Sequence, residues 1–188
     1  MKPILPELDL VTKGEESAWA VTSADNRFRY ILGRTWRQSG KLWVYCACNP
    51  SYARHDRSDH TLAKFCGFAD RGGAGGIVVV NAMAFSTPYP VALAKAARAG
   101  VNVVGEHNLA VLTWAASLGE RRIACWGRIP PSLQPLTLQA RVMFTVGGVD
   151  CFGLNKDGSP MHPLMLPYET PIVRLGSFVR DMRARDMR

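Results

Sequence analysis

The sequence predicts a three-layer α/β/α domain with a mainly parallel central sheet of about four strands. Three observations carry this expectation. Four short apolar runs, over 42–48, 77–80, 122–126 and 149–154, are each closed by a polar or glycine-bearing signal, as buried strands are. Stretches with apolar residues at helical spacing lie between them. Strand and helix in alternation imply parallel pairing through right-handed crossovers, with helices on both faces.

Residues 1–26 contain Pro3, Pro6 and scattered acids without a sustained period, and read as an extended N-terminal arm with at most a short strand or turn. One α/β domain is expected over 27–188. Residues 27–32 alternate polar and apolar, the pattern of a half-buried edge strand. The run Leu-Trp-Val-Tyr-Cys-Ala-Cys over 42–48 reads as the central strand, cut off by Asn49-Pro50-Ser51, because Pro50 cannot donate to a ladder and biases Asn49 away from helical angles. Asp59 is placed as the N-cap of a helix from His60 to about Arg71, and Gly72–Gly76 as its stop and a tight return. The strand over 77–80 ends in Asn81. Helices are expected over 90–99, about 105–118 and within 130–146, then a strand over 149–154. A last helix is expected from Pro171 to Arg185, with proline suited to its first turn.

A chain of 188 residues with 47% hydrophobic and 20% charged residues has a globular composition and enough length for a real core. No stretch approaches the roughly 20 apolar residues of a membrane helix, and the start lacks the layout of a signal peptide. Five cysteines without a Cys-x-x-Cys read as buried reduced thiols of a cytoplasmic protein, so no metal or other cofactor is expected. The net charge is +8, with −3 over residues 1–26 and +11 over the rest. A basic body points to a polyanionic partner, DNA or nucleotide, and to no membrane.

In a parallel sheet the strand carboxyl ends share one edge, where open α/β sheets bind ligands. Those ends carry Asn49-Pro50-Ser51, Asn81, Trp126-Gly127 and Asn155-Lys156, and the last loop adds Asp157 and His162. Each asparagine amide offers one acceptor and two donors, enough to orient a water or read the edge of a heterocycle. A histidine beside such a water can steady a developing anion or move a proton. Two amides, an imidazole and a basic rim suit a nucleobase. Phe85 and Tyr52 are candidates to stack on it, and Lys156 is a candidate phosphate contact. No Gly-x-Ser-x-Gly elbow and no paired carboxylates occur at these ends.

Several motifs together resemble the domain of unknown function family 1643. They are Arg29-Tyr30 with Leu32 and Arg34-x-Trp36, Asn-Pro-Ser-x-Ala over 49–53, Asp59-x-Thr61 with Gly67-Phe68-Ala69, and Val79-Val80-Asn81-x-x-Ala84-Phe85. Trp126-Gly127 and the run from Gly153-Leu154 through Lys156-Asp157-Gly158 to Pro160 and His162-Pro163-Leu164 complete the set. The order of motifs is also distantly similar to the uracil-DNA glycosylase superfamily, and this second resemblance implies that superfamily's fold. It makes Asn49 the residue that positions the attacking water, Asn81 the reader of the base and His162 the catalytic histidine. Pro50, Ser51, Phe85, Trp126, Gly127, Lys156 and Asp157 are then base- or substrate-binding candidates. Ser51 stands where that superfamily's motif has glycine, and Leu164 where it has serine.

The expected function is therefore hydrolysis of an N-glycosidic bond of a damaged or modified base in DNA, a repair reaction. Two other readings stay open: a non-catalytic DNA-binding or base-sensing module, and an enzyme acting on free modified nucleotides.

Overall fold

A computed structural model of the chain describes residues 10–118 and 121–176. Its centre is a pair of parallel strands, β4 (Lys41–Ala47) and β5 (Ala74–Asn81), joined through helix α1 (His60–Arg71). Alternate side chains of a strand point to opposite faces, and here both faces are apolar. Val44, Cys46, Val78 and Val80 enter one buried cluster. Trp43, Tyr45, Ala47, Ile77 and Val79 enter another on the opposite face.

Helix α1 covers the second cluster with Leu62, Phe65, Phe68 and Ala69. Its start is fixed by Asp59, whose carboxylate accepts the Leu62 amide at 2.8 Å. Helices α2 (Pro90–Arg98), α3 (Asn108–Ser117) and α4 (Gln134–Thr145) cover the first cluster, with Leu93, Val111, Leu112, Ala115, Ala140 and Phe144 fully or almost fully buried.

The sheet corrects the sequence-based fold class. It is mixed and has eight strands, not a mainly parallel sheet of about four. Strands β1 (Val11–Gly14), β2 (Ala18–Thr22) and β8 (Val173–Arg174) are additions, β3 (Arg29–Thr35) overlaps the run expected as an edge strand, and β6 (Arg121–Ala124) and β7 (Asp150–Cys151) complete the sheet in the order β1-β2-β3-β5-β4-β6-β7-β8. Pairs β1–β2, β2–β3, β3–β5 and β7–β8 are antiparallel; β4–β5, β4–β6 and β6–β7 are parallel.

The physical reason lies in the connections. Strands linked by a few residues reverse direction, whereas parallel neighbours need a long crossover. The link from β2 to β3 is such a reversal, with Asn26 at φ 60° and the Ser23 amide donating to the Phe28 carbonyl at 3.0 Å. Residues 11–22, read from the sequence as part of an arm, are thus the first hairpin of the sheet, and Trp19 within it is buried. β3 is interior, between β2 and β5, and not the half-buried edge its alternation predicts. Of the expected closing helix, residues 173–174 are strand β8, and residues 177–188 lie outside the described residues. Among the described residues no helix is long and apolar enough to cross a membrane.

Gly33 in β3 lies opposite Trp19, and a Cβ there would fall on the indole ring. Overpacking of this kind costs about 1–3 kcal/mol. Gly33→Ala is therefore expected to lower the urea midpoint with an unchanged m value; a midpoint equal to that of the wild type would contradict the packing described.

Candidate functional site

The parallel register of β4 and β5 sets Ala47 opposite Asn81. The ladder runs on past the strand ends, where the Ala82 and Met83 amides donate to the Ala47 and Cys48 carbonyls, both at 2.9 Å. Side chains two residues apart share a face. Asn49 therefore continues the face of Ala47, and Asn81 that of Val79. All four line one cavity of about 140 Å³ at the carboxyl edge of these strands. The cavity prolongs the apolar cluster under α1. Leu32, Leu62 and Phe65 form its apolar wall, and Arg29, Ser51, Asp59, Thr61 and His162 supply further polar groups.

Each asparagine is held by a different device. The Asn49 Nδ2 donates to the Pro50 carbonyl at 3.0 Å and to the Thr87 carbonyl at 2.7 Å. Its two donor hydrogens are thereby spent on backbone, and Oδ1 is left as an acceptor. Asn81 is 1% exposed and its Nδ2 has no hydrogen-bond partner. A buried polar atom left unpaired is costly, and such an atom in a native fold calls for a partner. The Asn81 backbone is fixed by Asn108 at the start of α3, whose Nδ2 donates to the Asn81 carbonyl at 2.9 Å and to the Ala82 carbonyl at 3.3 Å.

His162 arrives from the far side of β4. The Gly127 amide donates to the Pro160 carbonyl at 3.0 Å, and the Met161 amide donates to the Gly153 carbonyl at 2.9 Å, which ties the 153–161 loop against the end of β6. Gly127 adopts φ 65°, and a Cβ there would come within 3.3 Å of the His162 Cβ. The imidazole lies 6.0 Å from the Phe65 ring, centroid to centroid. Its Nδ1 accepts the Leu164 amide at 3.3 Å. The neutral ring then carries its proton on Nε2 and is a donor there. Burial holds the His162 pKa below the usual histidine value, against an opposing pull from Asp59.

Two charged residues that the sequence reading passed over as site groups sit in this wall. Arg29 is 7% exposed; it donates to the Ala53 carbonyl, and its Nε has no partner. Burial lowers its pKa to about 10, opposed by the charge of Asp59, so it remains a cation at neutral pH. Besides capping α1, Asp59 accepts the Ala53 amide at 3.2 Å. Cys48 also lines the cavity, but burial pushes its thiol up to about 11, which removes it as a thiolate nucleophile near neutrality. Among the described residues no group of three or more His, Cys, Asp or Glu side chains could hold a metal ion.

The cavity brings together Asn49, Ser51, Asn81 and His162. The other expected residues stand apart from it. Pro50 is buried and contributes its carbonyl, which accepts from Asn49 and from the Thr87 amide at 2.9 Å. Phe85 packs edge-on to Phe28 at 5.6 Å under Arg27, so the aromatic wall of the cavity is Phe65 instead. Trp126 is a core residue, and with Gly127 and Asp157 it lines a separate cavity of about 320 Å³. Asp157 accepts from the Ser159 amide and hydroxyl within its own turn, and Lys156 is exposed beside it. Tyr52 is exposed, with its hydroxyl 3.2 Å from that of Tyr89.

A family model described as a protein of unknown function (DUF1643) matches residues 29–164. No curated protein and no solved structure matches the chain.

The depressed His162 pKa is directly measurable. An NMR titration of the ring is expected to give a midpoint below 6.5. Because the folded value lies below the unfolded one, His162 takes stability away as pH falls through that window and has no effect above it. A midpoint above 6.5 would contradict the half-buried, neutral ring.

Proposed function

From a chain that belongs to the DUF1643 family, whose description names no activity, we propose a pocket for one planar heterocyclic base and hydrolysis of the bond joining that base to its sugar. The observation that carries this reading is the meeting of Asn49, Asn81 and His162, remote in sequence, on one small cavity. Its size supports the same conclusion. A cavity of roughly 150 Å³ accepts benzene, and 140 Å³ with polar walls suits a single ring rather than a whole nucleotide.

The chemistry follows from which hydrogen-bonding groups remain unspent. Asn81 Nδ2, unpaired and buried, donates to a carbonyl or ring acceptor on the base edge. Phe65 offers an apolar ring to the base. Asn49 Oδ1 accepts from a water and aims it at the sugar carbon. The water oxygen bonds to C1′ as the C1′–N bond breaks. The bonding pair leaves on the base, and the water's proton neutralises the base anion. A neutral His162 donates from Nε2 to that anion as it develops, which needs no proton transfer at the crest of the barrier. Asp59 and Arg29 add one charge of each sign, matching the cationic sugar and anionic base that such a cleavage generates.

The test is base release from DNA duplexes and single strands that carry damaged or modified bases. Wild type is expected to release a base that Asn49→Ala and His162→Ala release at least 100-fold more slowly, the usual scale for one oriented group. Equal background release by all three proteins would sink the hydrolase reading. Salt-dependent binding without turnover would leave a base sensor, and turnover confined to mononucleotides would make the substrate a free nucleotide.

A further inference from the structure

The base pocket opens beside a larger cleft of about 910 Å³, and the two share Arg29, Ser51 and Ala53 as a common wall. Lys13, Arg54 and Arg57 add three cationic side chains to Arg29 along its lining, against one acid, Asp56. The lip is the 50–59 loop, and it is preformed. Arg54 and Arg57 exchange backbone hydrogen bonds at 2.8 and 3.3 Å, and the side chains of Arg29 and Arg34 bond the Ala53 and Arg54 carbonyls. Two aromatic rings stand out from this edge, Tyr52 at 49% and Tyr89 at 62% exposure, with their hydroxyls in contact. The Arg57 guanidinium lies over the Tyr52 ring at 5.9 Å.

We propose that this cleft carries the sugar–phosphate backbone of a single-stranded polynucleotide, with Tyr52 and Tyr89 stacking a base that flanks the one in the pocket. The inference rests on the base-pocket reading and goes beyond it by naming the partner. Two features favour a strand over a free nucleotide: the cleft is more than six times the volume of the pocket, and its cations exceed what one phosphate needs. The exposed rings favour a single strand over a duplex, because only unpaired bases offer their faces to an aromatic platform. A preformed basic lip costs little ordering on binding.

The experiment uses the full chain and a fluorescent oligothymidine carrying one abasic tetrahydrofuran site, which occupies the cleft without needing the pocket. An Arg54→Ala/Arg57→Ala double variant is expected to bind it at least tenfold more weakly. The slope of log K against log salt should fall by about 1.4, from about 0.7 for each of two lost phosphate contacts. Tyr52→Ala should weaken binding of the intact strand several-fold, and Arg98→Ala, which removes an exposed cation of α2 outside the cleft lining, should leave binding of the abasic strand unaffected. Affinity unchanged in the double variant, or a duplex bound as tightly as the single strand, would overturn the proposal. Loss of base release alongside retained abasic binding would count against the pocket reading and leave the cleft standing.

Discussion

The register between β4 and β5 is the constraint on which the site depends. Pairing Ala47 with Asn81 puts the two strand ends level, and the backbone bonds from Ala82 and Met83 carry that alignment past the last strand residues. Side chains alternate with a period of two, so a slip of one residue would turn Asn81 away from Asn49 and into the opposite cluster. Register is held by burial on both faces, with Val44, Cys46, Val78 and Val80 on one and Tyr45, Ala47, Ile77 and Val79 on the other. The same core packing that stabilises the sheet therefore positions two amides with no covalent link between them.

Stability alone does not account for the polar wall above that core. Arg29 is buried with one nitrogen unpaired, Asn81 presents an unpaired amide nitrogen, and His162 is held neutral by desolvation. Each arrangement costs free energy that an apolar side chain would avoid. Unpaired polar atoms also occur away from the cavity, at Trp36, Asn108 and Arg141, so it is the grouping of Arg29, Asn81 and His162 on one cavity that supports reading it as a site. Asp59 joins the two purposes, since one carboxylate caps α1, bonds the Ala53 amide and offsets the buried Arg29 charge.

Much of the interior was legible in the sequence. Apolar runs with polar stops marked the strands around 42–48 and 77–80, and Asp59 announced the start of α1 over His60–Arg71. The asparagines were legible because each follows such a run, and His162 because of the His-Pro pair in its loop. Pairing direction was less so: short links reverse β1, β2 and β3, but the antiparallel pairing of β3 with β5 and of β7 with β8 depends on contacts between distant segments and leaves little trace in any one of them. Arg29 was not legible as a site residue, because a charged residue in an alternating run reads as solvent-facing, whereas here it is 7% exposed in the cavity wall. Phe85 and Phe65 look alike in one dimension; only the placement of α1 decides which ring reaches the cavity.

The most direct test of convergence is a chemical-shift titration with free nucleobases, following the side-chain amides of Asn49 and Asn81 and the ring of His162 together. The account predicts that one base moves all three along a single saturation curve and leaves Trp126 and Asp157 still. Shifts gathered around Trp126 and Asp157, or three groups responding with different midpoints, would contradict a shared pocket.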